Sequence, residues 1–258
     1  MEKLGYQEGV ESDHELHWMS KCLHVELHKR VIPSYNDDYY TYFGDGWKLA
    51  ASSRGTCWEM TPEDEFVYIF THFAKHYRDG GIGFRQVTDL WVYRNAHPDL
   101  DEAVLRSSFQ KLQMLPFYEN MRAVLDMWFG DAPWTERGEF IINFIFDSGA
   151  WGKADNHILS SSIRQKAVEH KKDVSRTRHF LRLVFPSRSS LLPFYPWLEH
   201  LPVLLPLAWI MRGFRVLFFQ RGKIDHQIYV LNTMTPDRIH SYEDALHYVG
   251  LDFHFNQD

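Results

Sequence analysis

The sequence predicts an α+β protein, with a small antiparallel or mixed sheet near the N-terminus followed by a mostly helical domain. Residues 23–32 alternate between apolar and polar side chains, with an interruption of the apolar set at Lys29, and this is the two-residue period of a strand. From residue 61 onward, apolar side chains recur three and four positions apart, which is the spacing of a buried helix face. We therefore expect a sheet and a linker within residues 1–60 and a helical domain over residues 61–258.

The first five residues predict a turn of helix closed by a glycine. Gly5 follows four residues that contain no helix breaker, and glycine commonly ends a helix in the left-handed conformation. Four residues alone cannot nucleate a helix, because too few hydrogen bonds form. We interpret this turn as the end of a helix whose beginning precedes the sequence.

Two extended segments, residues 14–19 and 23–32, are predicted to form strands. In the second segment, Val25, Leu27 and Val31 share one face. The other face carries four polar side chains: His24, Glu26, His28 and Arg30. A carboxylate between two imidazoles and a guanidinium can bind ions or move protons. The same alternation is also typical of an ordinary strand facing solvent, and both interpretations stay open.

Residues 33–60 contain turn-forming asparagine, aspartate and glycine residues and are predicted to be a linker. Thr61 and Pro62 are typical of the first positions of a helix, which we expect to end at Gly80. A second helix is predicted over residues 84–96. Another helix is predicted to begin near residue 99, with Asp99 and Glu102 as its capping box. Five further helices are predicted over residues 116–129, 138–148, 158–185, 206–222 and 241–249.

His72 and His76 lie four residues apart and therefore share one face of the first predicted helix, at the flank of its aromatic stripe. Metal sites use this spacing, but the segment lacks the glutamate of an HExxH motif, and the sequence places no third ligand. Binding of an anionic group by His72, Lys75 and His76 is the better functional interpretation. Histidines without a role at the edge of a core are an equally open alternative.

Arg85 and Asp89 lie four residues apart on the second predicted helix. An ion pair within the helix is the simpler interpretation, and it would stabilise the helix by only a few tenths of a kcal/mol. The functional interpretation has Arg85 holding phosphate oxygens at two points while Asp89 orients it.

The composition excludes some classes of protein. The net charge of −6 argues against general nucleic-acid binding, since phosphate contacts need a basic surface. The two cysteines, Cys22 and Cys57, match no zinc or redox motif and favour a cytoplasmic location. No secretory signal is visible. The longest uncharged apolar stretch is residues 201–211, which is about half of the ~20 residues that a membrane-spanning helix needs. The apolar side of residues 206–222 fits a core better than a membrane surface.

Several segments resemble, in order, one protein family. They are Leu4-Gly5-Tyr6, HVELH at 24–28, THFAKH at 71–76, GFRQVTDLWV at 83–92, DSGAWG at 147–152, LRLVFPS at 181–187, LLPLAWIMR at 204–212 and VGLDF near the end. In their order and spacing they resemble the uncharacterised bacterial nucleotidyltransferases, which belong to the polymerase-beta-like nucleotidyltransferase superfamily.

This resemblance implies transfer of a nucleotidyl group from a nucleoside triphosphate to a hydroxyl of a small molecule or a protein, with Mg²⁺. In that superfamily three carboxylates hold the magnesium ions, two from a DxD motif and one from a later strand. Glu26 matches the third carboxylate, and His28 beside it becomes a catalytic candidate. Five further residues become candidates for nucleotide or phosphate binding: His72, Lys75, His76, Arg85 and Asp89.

The sequence departs from the family pattern in one respect, because no GS-led DxD motif precedes Gly5. One carboxylate cannot hold two magnesium ions against their hydration. We therefore expect a truncated chain with weak or no activity of its own. The alternative is a non-catalytic module that binds a ligand or a protein and keeps a vestigial transferase sheet.

Overall fold

The computed structural model describes residues 1–11, 15–34, 36–149, 152–168, 181, 184–191, 195–219, 229, 232–233 and 235–254. The chain divides into two compact units, unit 1 with residues 1–153 and 245–258, and unit 2 with residues 154–244. Two small antiparallel sheets lie in unit 1 among helices, which confirms the predicted α+β class. The domain boundary near residue 60 stays a prediction.

A three-stranded antiparallel sheet opens unit 1. Its strands are β1 (Gln7–Glu11), β2 (Glu15–Met19) and β3 (His24–His28), in the order β1-β2-β3. A 3₁₀ turn, Glu2–Leu4, precedes them and ends at Gly5, whose φ of +81° is the left-handed conformation that the sequence predicts for this glycine.

Residues 33–60 form more structure than the predicted linker. They contain a short helix, α1 (Asp37–Phe43), a 3₁₀ turn at Trp47–Leu49, and a hairpin of β4 (Ala50–Arg54) and β5 (Cys57–Met60). The linker prediction was wrong because this hairpin lacks the regular alternation of a half-buried strand. Most of its residues are exposed on both faces.

Five longer helices follow in unit 1. They are α2 (Pro62–Asp79), α3 (Phe84–Ala96), α4 (Glu102–Lys111), α5 (Leu115–Phe129) and α6 (Glu136–Ser148). α2 and α3 have the predicted bounds within a residue. The start of α2 is fixed locally, because the Thr61 hydroxyl accepts from the Asp64 amide at 3.1 Å and Pro62 occupies the first helical position. α4 is capped by Asp101, which accepts from the Ala103 amide at 2.8 Å, so the capping box predicted at Asp99 was wrong.

The core of unit 1 is an aromatic cluster between α2, α4 and α5. Phe66, Phe70, Phe109, Phe117 and Tyr118 are all buried there. Ring centroids lie 4.8 Å apart for Phe70 and Phe109 and 4.3 Å apart for Phe109 and Tyr118. Burial of these rings stabilises the helical layer and fixes the position of α2.

Unit 2 contains α7 (Ala154–Val168), α8 (Arg188–Leu191), α9 (Leu205–Phe219) and the first part of α10 (Pro236–Val249). Leu191, Tyr195, Leu198 and Ala208 form a small buried cluster there. α7 covers the start of the helix predicted over residues 158–185. Residues 169–180 and 182–183 of that prediction lie outside the described residues, as do residues 220–222 of the helix predicted at 206–222.

The apolar face of α9 differs from its prediction. Leu207, Ile210 and Phe214 are 46%, 56% and 60% exposed, whereas Ala208 is buried. The expected core packing was therefore wrong for these three side chains. Within the described residues, none of the helices combines the length and the hydropathy that crossing a bilayer requires.

Candidate functional site

The pairing of β2 with β3 gathers polar side chains on one face of the sheet. His17 lies opposite Glu26 and Glu15 lies opposite His28. Directly opposite residues of an antiparallel pair point to the same side, as do residues two apart in a strand. We call the resulting set the polar face: Glu15, His17, His24, Glu26 and His28.

The side chains of the polar face are in close contact. His17 Nδ1 lies 2.8 Å from His24 Nε2, and the two rings stack with centroids 5.0 Å apart. Glu26 Oε1 lies 3.8 Å from Nδ1 of each of these histidines. Glu15 joins the set through Oε1, 3.1 Å from His17 Nε2, and through Oε2, 3.6 Å from His28 Nε2.

This arrangement offers two groups of metal-ligating atoms that share Glu26. One group is His17, His24 and Glu26, and the other is Glu15, Glu26 and His28. In each group the three donor atoms lie within 4.8 Å of one another. Glu26 is 46% exposed, so a cation or a substrate can reach it from solvent.

Two members of the polar face do not figure among the residues predicted from the sequence. Glu15 and His17 lie on β2, where they alternate with Leu16 and Trp18 just as the polar residues of β3 alternate with apolar ones. That alternation was the available signal. It covers only five residues, and it acquires meaning only through the register with β3.

The alternation also predicts Arg30 on this face, which was wrong. β3 ends at His28, and the chain turns, so that Arg30 Nη1 donates to the Tyr40 hydroxyl at 3.3 Å. Its guanidinium lies 5.6 Å from the centre of the Tyr40 ring.

A cleft of about 400 Å³ adjoins the polar face at His28. We call it the aromatic cleft. Its lining comprises His28, Lys29, Arg30, Val31, Asp45, Gly46, Trp47, Ala50, Thr56, Trp58, Met60 and Tyr68. Trp47 and Trp58 meet edge to face with centroids 5.8 Å apart, and both are more than half exposed.

Glycine is required at one position of the cleft wall. Gly46 has a φ of +90°, and a Cβ there would lie 3.0 Å from Val31 Cγ1. Tyr68, from α2, forms another part of the wall, and burial raises the pKa of its phenol above the ordinary value.

The predicted histidine pair continues from Tyr68 along α2. Tyr68, His72 and His76 follow one another at four-residue intervals, and consecutive ring centroids lie 6.1 and 4.5 Å apart. The two histidines are half-buried, with Nε2 atoms 3.2 Å apart. Lys75, predicted to act with them, is only 7% exposed.

The other predicted pair lies on α3. Arg85 and Asp89 are both exposed. Within the part of the chain that the structure describes, their side chains make no ion pair with each other and no hydrogen bond to His72 or His76. The predicted role of the two pairs in binding phosphate stays a prediction.

A buried charge beside the cleft elements is absent from the sequence predictions. Arg78 is fully buried, and its Nη1 donates to Asp38 at 2.5 Å while Nη2 lies 3.4 Å from the Asn36 side-chain oxygen. Its guanidinium also lies 4.4 Å from the centre of the Tyr39 ring. Arg78 thereby connects α2 to α1, which precedes the cleft-lining turn at Gly46.

Comparison with protein families defines the class of this chain. A family model described as an uncharacterised nucleotidyltransferase matches residues 1–130, which include the polar face, the aromatic cleft and α2 to α5. The chain belongs to this family of nucleotidyltransferases. Comparisons with curated proteins and with solved structures gave no significant match.

Proposed function

We propose that this protein transfers a nucleotidyl group from a nucleoside triphosphate to a hydroxyl group of a small molecule or a protein. Membership of the nucleotidyltransferase family supports the class of reaction. The contact between the polar face and the aromatic cleft supports the location, because His28 belongs to both. A cation-binding face next to a cleft with aromatic walls is what a nucleoside triphosphate requires.

The residues of the polar face suit the Mg²⁺ that such a reaction uses. Mg²⁺ is usually held by one or two carboxylates together with phosphate oxygens of the substrate. Glu26 and Glu15 supply two carboxylates with donor atoms within 4.8 Å of each other. These two side chains would hold the ion, which when bound would neutralise charge on the triphosphate.

The aromatic cleft suits the rest of the nucleotide. Trp47 and Trp58 offer exposed ring faces, and stacking of a base on an aromatic side chain is favourable for every base. Lys29 and Arg30 bring positive charge to the end of the cleft beside His28. In this proposal the base lies toward the tryptophans and the phosphates toward the polar face.

His28 would handle the proton of the acceptor. The acceptor oxygen forms a bond to the α-phosphorus, the bond from that phosphorus to the bridging oxygen breaks, and pyrophosphate leaves. The hydroxyl proton passes to the imidazole of His28, whose Nε2 lies 3.6 Å from Glu15 Oε2.

The helical residues complete the proposal. His72 and His76 continue from the cleft wall and are candidates for contacts to phosphate or to the acceptor. Arg85 and Asp89 are exposed candidates for the same role on α3. Lys75 is the weakest of the five, since a largely buried ammonium has little access to a ligand.

Nucleotide binding by the full chain tests the proposal. Tryptophan fluorescence is titrated with each of the four nucleoside triphosphates, with and without Mg²⁺. We expect Mg²⁺ to tighten binding, and we expect Glu26→Gln to abolish that tightening while metal-independent binding persists. Glu139→Gln, at an exposed carboxylate of α6, is the matched control. Pyrophosphate release is measured in parallel, and His28→Ala should reduce it.

Two results would count against the proposal. If no triphosphate binds in the presence of Mg²⁺, or if Glu26→Gln binds as the unchanged protein does, the polar face is not the site. If nucleotide binds but no pyrophosphate is released with any hydroxyl acceptor, the chain is a binding module rather than an enzyme.

A further inference from the structure

We infer that His17, His24 and Glu26 form a binding site for a transition-metal ion of the Zn²⁺ type. This inference goes beyond the proposed function. The site shares Glu26 with the Mg²⁺ site proposed above, and it adds the two imidazoles of His17 and His24. Two imidazoles and one carboxylate form the donor set, contributed by adjacent positions on β2 and β3.

The spacing of the donor atoms suits a tetrahedral ion. With bonds of about 2.0–2.1 Å, two ligand atoms of a tetrahedral Zn²⁺ site are separated by roughly 3.3 Å. His17 Nδ1 lies 2.8 Å from His24 Nε2 and 3.8 Å from Glu26 Oε1, on either side of that value. The three donor atoms lie within 4.8 Å of one another, so they are close enough to share one ion after adjustment of the side chains.

A second carboxylate orients the first imidazole. Metal-binding histidines commonly donate their other ring N–H to a carboxylate, which fixes the tautomer. His17 Nε2 lies 3.1 Å from Glu15 Oε1, and the Glu15 side chain is only 19% exposed. With the proton on Nε2, His17 Nδ1 carries a lone pair, and this is the atom that lies 2.8 Å from His24 Nε2.

Gly9, on β1, lies close to His17. A Cβ at Gly9 would approach His17 Cβ to 3.2 Å and the His17 carbonyl oxygen to 3.3 Å. Glycine at residue 9 therefore avoids a close contact with the backbone and Cβ of His17.

The donor types select the ion. Imidazole nitrogen is a good ligand for Zn²⁺, Co²⁺ and Ni²⁺, whereas Mg²⁺ and Ca²⁺ prefer oxygen. Three protein ligands leave a fourth position for water or a substrate oxygen. His24 and Glu26 are 47% and 46% exposed, so that position is open to solvent.

Metal titration of the full chain tests the inference. Co²⁺ is the spectroscopic probe, because tetrahedral coordination gives visible absorption bands of high intensity, and Zn²⁺ affinity is measured by competition with a chromogenic chelator. We expect one Co²⁺ per chain with tetrahedral bands. His17→Ala and His24→Ala should each lower Zn²⁺ affinity at least tenfold, and Glu15→Gln should lower it about tenfold as the loss of an orienting partner.

His247→Ala is the matched control. Like the proposed ligands, His247 contacts a carboxylate, with Nδ1 3.1 Å from Asp252 Oδ1, but it lies on α10 and not on the sheet. This variant should leave the Zn²⁺ affinity unchanged. Zn²⁺ should also raise the melting temperature of the unchanged protein and of His247→Ala, but not of His24→Ala.

Three results would overturn the inference. They are the absence of Co²⁺ bands at a tenfold molar excess, a Zn²⁺ affinity in His17→Ala and His24→Ala equal to that of the unchanged protein, and a loss of affinity in His247→Ala as large as in those two variants. Each is separate from the test of nucleotide binding, since His17→Ala retains Glu26, Glu15 and the aromatic cleft.

Discussion

Arg78 is a fully buried cation whose charge is balanced inside unit 1. Burial alone would lower the pKa of its guanidinium, but Tyr39, Asp38 and Asp79 act in the opposite direction and together hold that pKa above its ordinary value. The Asp38 side chain is itself only 3% exposed. Each of the two charges therefore depends on the other for its stability in the folded protein.

Replacement of this arginine tests that dependence. Arg78→Met removes the partner of a buried carboxylate, and we expect the free energy of unfolding to fall by about 3–5 kcal/mol. Urea denaturation measures the change. Arg106→Met removes an exposed ion pair with Glu119 and should alter stability by less than about 1 kcal/mol. Equal losses of stability in the two variants would contradict the dependence of each buried charge on the other. The double variant Asp38→Asn with Arg78→Met should recover part of the free energy of unfolding that Arg78→Met loses.

Trp58 allows a residue-level test of the aromatic cleft. If a base stacks on its ring, Trp58→Ala should weaken nucleotide binding by about 1–3 kcal/mol, the usual value for one base on one aromatic side chain. Isothermal calorimetry with the tightest-binding triphosphate measures the change. Trp134→Ala, at another exposed tryptophan outside the cleft, should bind as the unchanged protein does. A similar loss in both variants would argue for a general effect on stability instead.

At the scale of elements, α2 is the helix whose ends are determined most locally. Its first turn combines the Thr61 hydroxyl, the proline at residue 62 and three acidic residues near the positive end of the helix dipole. We expect Thr61→Ala to lower the free energy of unfolding by about 1 kcal/mol, because the Asp64 amide loses its acceptor. Thr61→Ser keeps the acceptor and should remain within a few tenths of a kcal/mol of the original protein in the same denaturation experiment.

The start of α4 shows why an element boundary can be misread. Asp99 and Asp101 both precede the helix, and either could accept from its first amides. The Asp101 amide donates to Glu63 Oε1 at 3.1 Å, a contact with the first turn of α2. That contact between residues 38 positions apart helps to hold Asp101 at the cap position. No local sequence pattern contains this information.

At the scale of the molecule, Tyr118 links three helices of unit 1. Its hydroxyl donates to Glu102 of α4 at 2.9 Å and accepts from Arg94 of α3 at 2.9 Å, while the ring packs in the core. Burial raises the pKa of Tyr118 to about 12, and the contact with Glu102 adds to the shift. In the unfolded chain a tyrosine titrates near its ordinary value of about 10.

This shift predicts a loss of stability in alkali. Below pH 10 the phenol is protonated in both states, and its stabilising contribution is complete. Between pH 10 and 12 the unfolded state releases the proton first, so the free energy of unfolding should fall with increasing pH. Tyr118→Phe should show a shallower fall over that interval in denaturation series, and Tyr248→Phe, at an exposed tyrosine of α10, is the control. Equal slopes in Tyr118→Phe and the unchanged protein would contradict the prediction.

The sequence alone determined the α+β class, the approximate bounds of α2, α3, α5 and α6, and the polar character of β3, because periodicity, caps and helix breakers act over a few neighbouring residues. It also contained the segments that resemble the nucleotidyltransferase family.

The tertiary structure decided which side chains meet. The register of β2 with β3 brings Glu15 and His17 to Glu26, and the hairpin of residues 50–60 brings Trp58 to the cleft that His28 also lines. The sequence alone could not supply these contacts. Strand register and hairpin packing depend on pairings between distant residues, and their energies are not contained in any local pattern.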